Sequence, residues 1–174
     1  MITFITGGAR SGKSTVAAGL AGRGGGPVRF IATARPDDHE MAQRIEEHRR
    51  DRPAAWSVVE EPIDLVRAVE RAGDSESVVI DCVTLWISNL MVERDDPTIL
   101  GMVDAAVAAI VGRTGHTIVV SNEVGSGLVP MDPVGRRFRD LQGRANQRFA
   151  GAADVAYMVV SGRLLPLQDP GDAV

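Results

Sequence analysis

The sequence predicts an α/β fold: a mostly parallel sheet with helices on both faces. Three observations carry that expectation. Short β-branched runs alternate with longer helical patterns along the 174 residues, the pattern of strands joined by crossover helices. The first run leads into Gly7-Gly8-Ala9-Arg10-Ser11-Gly12-Lys13-Ser14, a G-x-x-x-x-G-K-S spacing between a strand and a helix. The last two runs are separated only by Ser161-Gly162, which suits a hairpin that ends the sheet with one antiparallel strand. A chain of this length can bury a core of its own, so one domain over residues 1–174 is expected.

In chain order, Ile2-Thr3-Phe4-Ile5-Thr6 reads as a buried strand, and Thr15-Val16-Ala17-Ala18 begins a helix. The segment between them is a phosphate loop. Its small residues let successive backbone N–H groups curl around phosphate oxygens, and the helix behind aims the positive end of its dipole at the anion. Lys13 is expected on the β- and γ-phosphates, and the Ser14 hydroxyl on Mg²⁺. Arg10 has two readings, a further cation beside the phosphates or a side chain turned to solvent.

The runs Val28 to Ala32, Val78 to Cys82, Thr117 to Ser121 and Val155 to Val160 read as buried strands, and Tyr157 to Val160 with Arg163 to Leu167 as the closing hairpin. Loops are expected at Gly22 to Pro27, Gly73 to Ser77 and Glu93 to Pro97, and a frayed tail from Asp169. In such a sheet ligands collect at the carboxyl ends of the strands, where the phosphate loop stands. The expected architecture is therefore a RecA-like P-loop NTPase. Val78-Val79-Ile80-Asp81 resembles a Walker-B strand, and Asp81 reads either as a holder of Mg²⁺ or as the N-cap of the next helix. Asp38 to Arg50 reads as a helix with Met41 and Ile45 on an apolar stripe. Spacing of four sets Arg44 and His48 on one face, with Arg52 in line if the helix continues to Pro53. A catalytic imidazole and a solvated helix both fit that pattern.

Composition removes other classes. Lys plus Arg number 19 against 23 Asp plus Glu, a formal net charge of -4, so no global positive field recruits nucleic acid or an anionic membrane. No apolar stretch approaches the roughly 20 residues that span a bilayer, and no secretory signal pattern opens the chain. Cys82 is the single cysteine and forms no intramolecular disulfide, which fits a reducing cytoplasm. A nucleotide-switched binding module of the GTPase kind is disfavoured by this acidity and by the lack of a guanine-reading N-K-x-D tetrapeptide. An ordinary small-molecule kinase, in which His48 does nothing, is the closer rival.

Motifs along nearly the whole chain resemble one family. They are ITFITGGARSGKS at the start, FIATA at Phe30 to Ala34, EMAQRIEEHRRDRPAAW at Glu40 to Trp56 and VVEEP at Val58 to Pro62. IDCVTLWISNL at Ile80 to Leu90, SNEVGSGLVP at Ser121 to Pro130 and FRDLQGRANQ at Phe138 to Gln147 follow. The family is the bifunctional adenosylcobinamide kinase/adenosylcobinamide-phosphate guanylyltransferase of cobalamin biosynthesis. The resemblance implies phosphorylation of the aminopropanol hydroxyl of adenosylcobinamide with ATP or GTP, then transfer of GMP from GTP to that phosphate. It makes His48, in E-M-x-x-R-I-x-x-H, the residue that becomes guanylylated, carried on a helix whose Gly and Pro borders permit movement toward the α-phosphate.

The resemblance also implies nucleotide contacts at Ala32, Thr33, Ala34, Arg49, Arg52, Glu60 and Glu61, with ribose hydroxyls or the guanine edge as the partners of Thr33 and the glutamates. Capping or solvated roles stand beside these for Thr33, Glu60 and Glu61. Asn122-Glu123 has the two readings of a ligand-positioning pair and ordinary loop bonding. Arg136, Arg137, Arg139, Arg144 and Arg148 read as a solvated face, a corrinoid-phosphate contact or a subunit contact, and Trp56 and Trp86 as core or as a corrinoid cover. A homo-oligomer, a trimer by the resemblance, is expected. Two departures are visible: Asp81 stands where some members have Glu, and Glu47 precedes His48 where some have a second histidine.

Overall fold

The alternation of runs becomes the chain of elements β1 (Ile2–Gly7), α1 (Lys13–Arg23), β2 (Val28–Ala32), α2 (His39–Arg50), β3 (Ser57–Glu60), α3 (Leu65–Glu70) and β4 (Ser77–Asp81). It continues through α4 (Val83–Leu90), α5 (Asp96–Val111), β5 (Thr117–Val120), α6 (Pro133–Gly151), β6 (Val155–Val160) and β7 (Arg163–Leu167), then a 3-10 turn at Pro170–Asp172. The computed structural model describes residues 1–36, 39–50 and 53–172; within these, the side chains of Glu40, Arg44, Glu47, His48 and Asp172 lie outside the description. Asp38 and Arg52, both in the expected α2 region, lie outside the described residues.

The seven strands form one sheet in the order β3-β2-β4-β5-β1-β6-β7. All neighbours are parallel except β6 and β7, which pair antiparallel with Val160 opposite Arg163. The turn between them has φ 51° at Ser161 and 75° at Gly162, the double positive φ of a two-residue hairpin turn. β1 lies between β5 and β6, so the phosphate loop emerges from the middle of the sheet.

Strands buried on both faces explain the unbroken apolar runs. Phe4, Ile31, Ile80 and Val119 pack on one face against α3, α4, α5 and α6, through Leu65, Trp86, Val103, Leu141 and their neighbours. Ile5, Phe30, Val79 and Ile118 pack on the other against Ala17 and Ala21 of α1. Helices cover both faces, four against one around the apolar cores.

The structure corrects several expectations. β3 was not anticipated: Ser57, Val58 and Glu60 are exposed on an edge strand of four residues, too short and too wet to leave a hydrophobic pattern. β6 is less buried than its apolar sequence suggests, with Val155 39% and Val160 51% exposed, because beyond it the sheet ends in the short, exposed β7. The fourth strand ends at Asp81, and Cys82 rather than Asp81 is the N-cap residue of α4. α5 starts at Asp96, inside the loop expected at Glu93 to Pro97, because the Asp95 carboxylate caps it from Thr98 N–H and Pro97 fits its first turn. Part of the expected frayed tail forms the turn at Pro170–Asp172.

Candidate active site

The phosphate loop is shaped by the backbone behind it. Gly12 caps α1 in a left-handed conformation, φ 97°, and a side chain there would meet Gly162 Cα at 3.4 Å. Gly7 lies against the Val159 carbonyl with no room for a Cβ. The β6–β7 turn locks the arrangement, since Gly162 N–H donates to Ser11 O at 2.9 Å. Gly7 is needed because β6 presses on it, a long-range reason the motif alone does not reveal, and Gly12 because of its positive φ. Arg10 forms the exposed tip with φ 54°, and its side chain lines the cleft.

Lys13 is buried, and its ammonium donates to Gly8 O at 2.6 Å and to Ser11 Oγ at 3.4 Å. Burial lowers its pKa, while Cys82 and Asp81 oppose that shift. Burial itself pushes the Cys82 thiol up to about 12, so the thiol is neutral near pH 7 and Asp81 is the charge that sustains the Lys13 cation.

These groups share one cleft of about 720 Å³ at the carboxyl edge of the sheet. Its floor is the loop from Ala9 to Ser14; Ala32, Ala34, Asp81, Leu85 and Asn122 flank it. α2 forms the facing wall through Met41, Ala42, Ile45, Glu46 and Arg49. Spacings of three and four put those residues on one stripe. His48 lies on α2, next to Arg49, with its side chain outside the description. Arg49 pairs with Glu60 of β3, which also lines the cleft, and with Glu46 at 3.7 Å, so the carboxyl end of α2 is tied to the sheet edge.

Ser14 and Asp81 are both half-buried and both line the cleft. No three His, Cys, Asp or Glu side chains converge into a metal cage among the described residues. One hydroxyl and one carboxylate are a poor site for a resident ion. They fit a Mg²⁺ that takes most of its ligands from phosphates and water.

Other residues expected at the site divide into two groups. Asn122 stands in the cleft, its N–H donating to Thr84 Oγ1 at 2.8 Å and its carbonyl accepting from Asn146 at 3.0 Å. Thr33 does not line the cleft: it is fully buried, its hydroxyl donating to Cys82 O and accepting from Cys82 N–H. Glu61 accepts from the N–H groups of Ile63 and Asp64 ahead of α3, and Glu123 from those of Gly125 and Ser126. Both carboxylates shape turns.

The arginines of α6 are no uniform solvated face. Arg136 donates to Pro130 O and Met131 O, Arg139 to Gly125 O, Arg137 to Met91 O and Arg94 O, and Arg148 to Leu100 O. Arg144 alone among them is exposed with no such bond among the described residues. Trp86 is in the core, its indole N–H on Ile63 O, and Trp56 stacks on Phe30 with ring centroids 6.4 Å apart. Sequence reasoning missed Pro36, Leu85 and Cys82 as lining residues, and Gly162 as the support of the loop. An alternating apolar run reveals none of these. Only the Ser161-Gly162 turn gave a local signal.

Comparisons with known proteins bear on the fold and on the family. The chain aligns with 90% of its length on the RadB recombinase, covering 73% of that chain, with a TM-score of 0.54 at 16% identity. It aligns equally well, TM-score 0.54 at 13% identity, with an ATPase from the type III secretion system of pathogenic bacteria, covering 90% of this chain and 50% of that one. These likenesses are of fold alone, a mostly parallel, helix-covered sheet of the RecA-like kind expected from the sequence. Among curated proteins, the bifunctional adenosylcobalamin biosynthesis protein CobP of Pseudomonas aeruginosa is 38% identical over 169 residues, 97% of this chain and 98% of that protein. The bifunctional adenosylcobalamin biosynthesis protein CobU of Escherichia coli K12 is 38% identical over 176 aligned positions, and that of Salmonella typhimurium 37% over 177, each covering 93% of this chain and 97% of the relative. The family described as cobinamide kinase / cobinamide phosphate guanyltransferase matches residues 3–167, from within β1 to the end of β7, and so takes in the phosphate loop, the α2 wall and the supporting hairpin together. The chain belongs to that family.

Proposed function

We propose that this one cleft serves two consecutive reactions in adenosylcobalamin biosynthesis: phosphorylation of adenosylcobinamide, then transfer of GMP from GTP to the resulting phosphate. The observation that supports the reading is the opposition of two elements across one cleft. The phosphate loop is its floor, and α2, the helix that carries His48, is the facing wall. A simple kinase needs the floor and the carboxylate but no histidine-bearing wall.

In the first reaction the aminopropanol hydroxyl attacks the γ-phosphorus of ATP or GTP, the bond to the β-phosphate oxygen breaks, and the hydroxyl proton passes to solvent or a base. Lys13 and the loop N–H groups stabilise the charge on the phosphoryl group in flight. Ser14 and Asp81 would hold Mg²⁺, which would supply charge neutralisation at the phosphates when bound. In the second reaction the His48 imidazole attacks the α-phosphorus of GTP and pyrophosphate leaves. An oxygen of adenosylcobinamide phosphate then attacks the phosphoramidate, the N–P bond breaks, and His48 is regenerated with adenosylcobinamide-GDP as product. Arg10, Arg49 and Arg52 supply cations for the phosphates in this reading, and the half-exposed Glu60 is the carboxylate available to nucleotide hydroxyls or the guanine edge. The chain works as one domain, in the cytoplasm and as a homo-oligomer, without nucleic acid. The single sheet supports the one domain, the apolar sheet end the oligomer, and the formal net charge of -4 the lack of a nucleic-acid partner.

The test is labelling with α- and γ-labelled GTP in the presence of Mg²⁺. One α-label per chain is expected to remain, released by acid and stable to alkali as a phosphoramidate is, while γ-label does not stay. His48→Ala should take no label and form no adenosylcobinamide-GDP, yet still phosphorylate adenosylcobinamide. Label on the alanine variant would move the nucleophile to His39 or His116. Phosphorylation without any α-label in the parent protein would leave an ordinary small-molecule kinase.

A further inference from the structure

Behind the cleft, Thr33 is the centre of a bracket joining three loops at the carboxyl edge of the sheet. Its N–H donates to Asp81 O at 3.2 Å. Its hydroxyl accepts from Cys82 N–H at 2.8 Å and donates to Cys82 O at 2.7 Å, so both backbone groups of the residue after Asp81 are bound by one side chain. Cys82 O also accepts from Trp86 N–H at 3.2 Å, the first bond of α4. From the last turn of that helix the buried Asn89 reaches back, its amide donating to Thr33 O at 2.8 Å and to Pro62 O at 3.1 Å. The loops after β2, β3 and β4 are thus held to one another directly behind the carboxylate that faces the phosphate loop.

We propose that Thr33 and Asn89 are positioning residues, which fix the Asp81–Cys82 turn and so aim the Asp81 carboxylate at the Mg²⁺ it shares with Ser14. The inference rests on the assignment of Asp81 to the metal. Mg²⁺ accepts little deviation from octahedral geometry, so a carboxylate that serves it must be held by its own supporting bonds. Thr33 suits that task better than nucleotide contact, because its side chain is sealed from the cleft and both its hydrogen-bonding capacities are engaged.

The experiment measures Mn²⁺ binding by the loss of its free-ion paramagnetic resonance signal, to the protein saturated with guanosine 5′-(α,β-methylene)triphosphate, which His48 cannot cleave, in the absence of acceptor. Nucleotide affinity without metal is measured in parallel. Thr33→Val should weaken Mn²⁺ at least fivefold and raise the Mg²⁺ needed for half-maximal phosphorylation by a similar factor. Thr33→Ser, which keeps the hydroxyl, should restore both to within twofold. Asn89→Ala removes only the outer bonds and should weaken Mn²⁺ two- to threefold, which keeps the proposal exposed to failure if the valine variant does not fold. Unchanged Mn²⁺ affinity in Thr33→Val or Asn89→Ala overturns the bracket's role, and so does an equal loss of metal-free nucleotide affinity in Thr33→Val, which would mark a direct contact. Asp81→Asn is the control: if it binds Mn²⁺ as the parent does, the metal assignment beneath the proposal is what has failed.

Discussion

Lys13 shows how a single charge can serve two reactions. Its ammonium lies within hydrogen-bond reach of Gly8 O and Ser11 Oγ, inside the curve where the phosphates of either nucleotide would lie, and burial strengthens any charge interaction it makes there. Burial also lowers its pKa, and the Asp81 carboxylate opposes that shift. Lys13→Ala should therefore depress phosphorylation and guanylyl transfer together, each by roughly 10²–10³-fold or more, the loss typical of one preorganised donor to a developing anion. Rates measured separately for adenosylcobinamide and adenosylcobinamide phosphate check this. Parent-level activity in either reaction would mean that two sites exist. The same scale shows what sequence can and cannot reveal. Lys13, Ser14 and the loop glycines are legible because the motif acts through contiguous backbone. Thr33 looked like a nucleotide ligand because it stands at a strand end facing the ligand edge, but its hydroxyl bonds a residue 49 positions away. Arg137 and Arg148 looked solvated for the same reason, since the carbonyls they hold are 43 to 48 positions distant.

At the scale of elements, the hairpin β6–β7 props the phosphate loop. Gly162 donates its N–H to Ser11 O, and its Cα is the nearest atom to where a Gly12 side chain would stand. With φ 75°, Gly162 occupies a region that a β-branched residue avoids. Gly162→Val should cost about 1–3 kcal/mol of stability, a fall in melting temperature of roughly 3–10 °C, and should weaken GTP binding because the strain is relieved by shifting Ser11. Gly162→Asn, which tolerates positive φ, should do much less of both. Calorimetry and equilibrium GTP binding on the two variants decide the matter: lower stability with parent affinity in the valine variant would make the hairpin a neighbour of the loop and not its support. The hairpin itself was legible from two turn residues between β-branched runs, and its contact with the loop was not. β3 escaped altogether, because four residues on a wet edge carry no periodicity. Yet its Glu60 ties α2 to the sheet, which makes an unanticipated strand part of the site.

Across the whole molecule, the distribution of apolar surface is uneven. Helices α3 to α6 cover one face of the sheet as far as Ala156 of β6, and beyond it the face continues bare: Val160, Leu165 and Leu167 share it by the pairing register and are 51%, 54% and 41% exposed. β7 is also an open edge, and a strand edge flanked by apolar side chains invites association. A second copy of the chain would bury this strip, and the supporting hairpin with it, so that assembly would stiffen the phosphate loop. Leu165→Lys adds a charge at the centre of the strip, at a position already more than half exposed, and should leave the fold of one chain intact. Sedimentation velocity should then show the parent as an oligomer and the variant shifted toward the 18.5 kDa of one chain, with the Km for GTP raised as the hairpin loses its cover. An oligomer unchanged by the lysine would move the interface elsewhere. A parent that sediments as one chain would mean that the strip is exposed in the working enzyme and that the phosphate loop depends on the hairpin of its own chain alone.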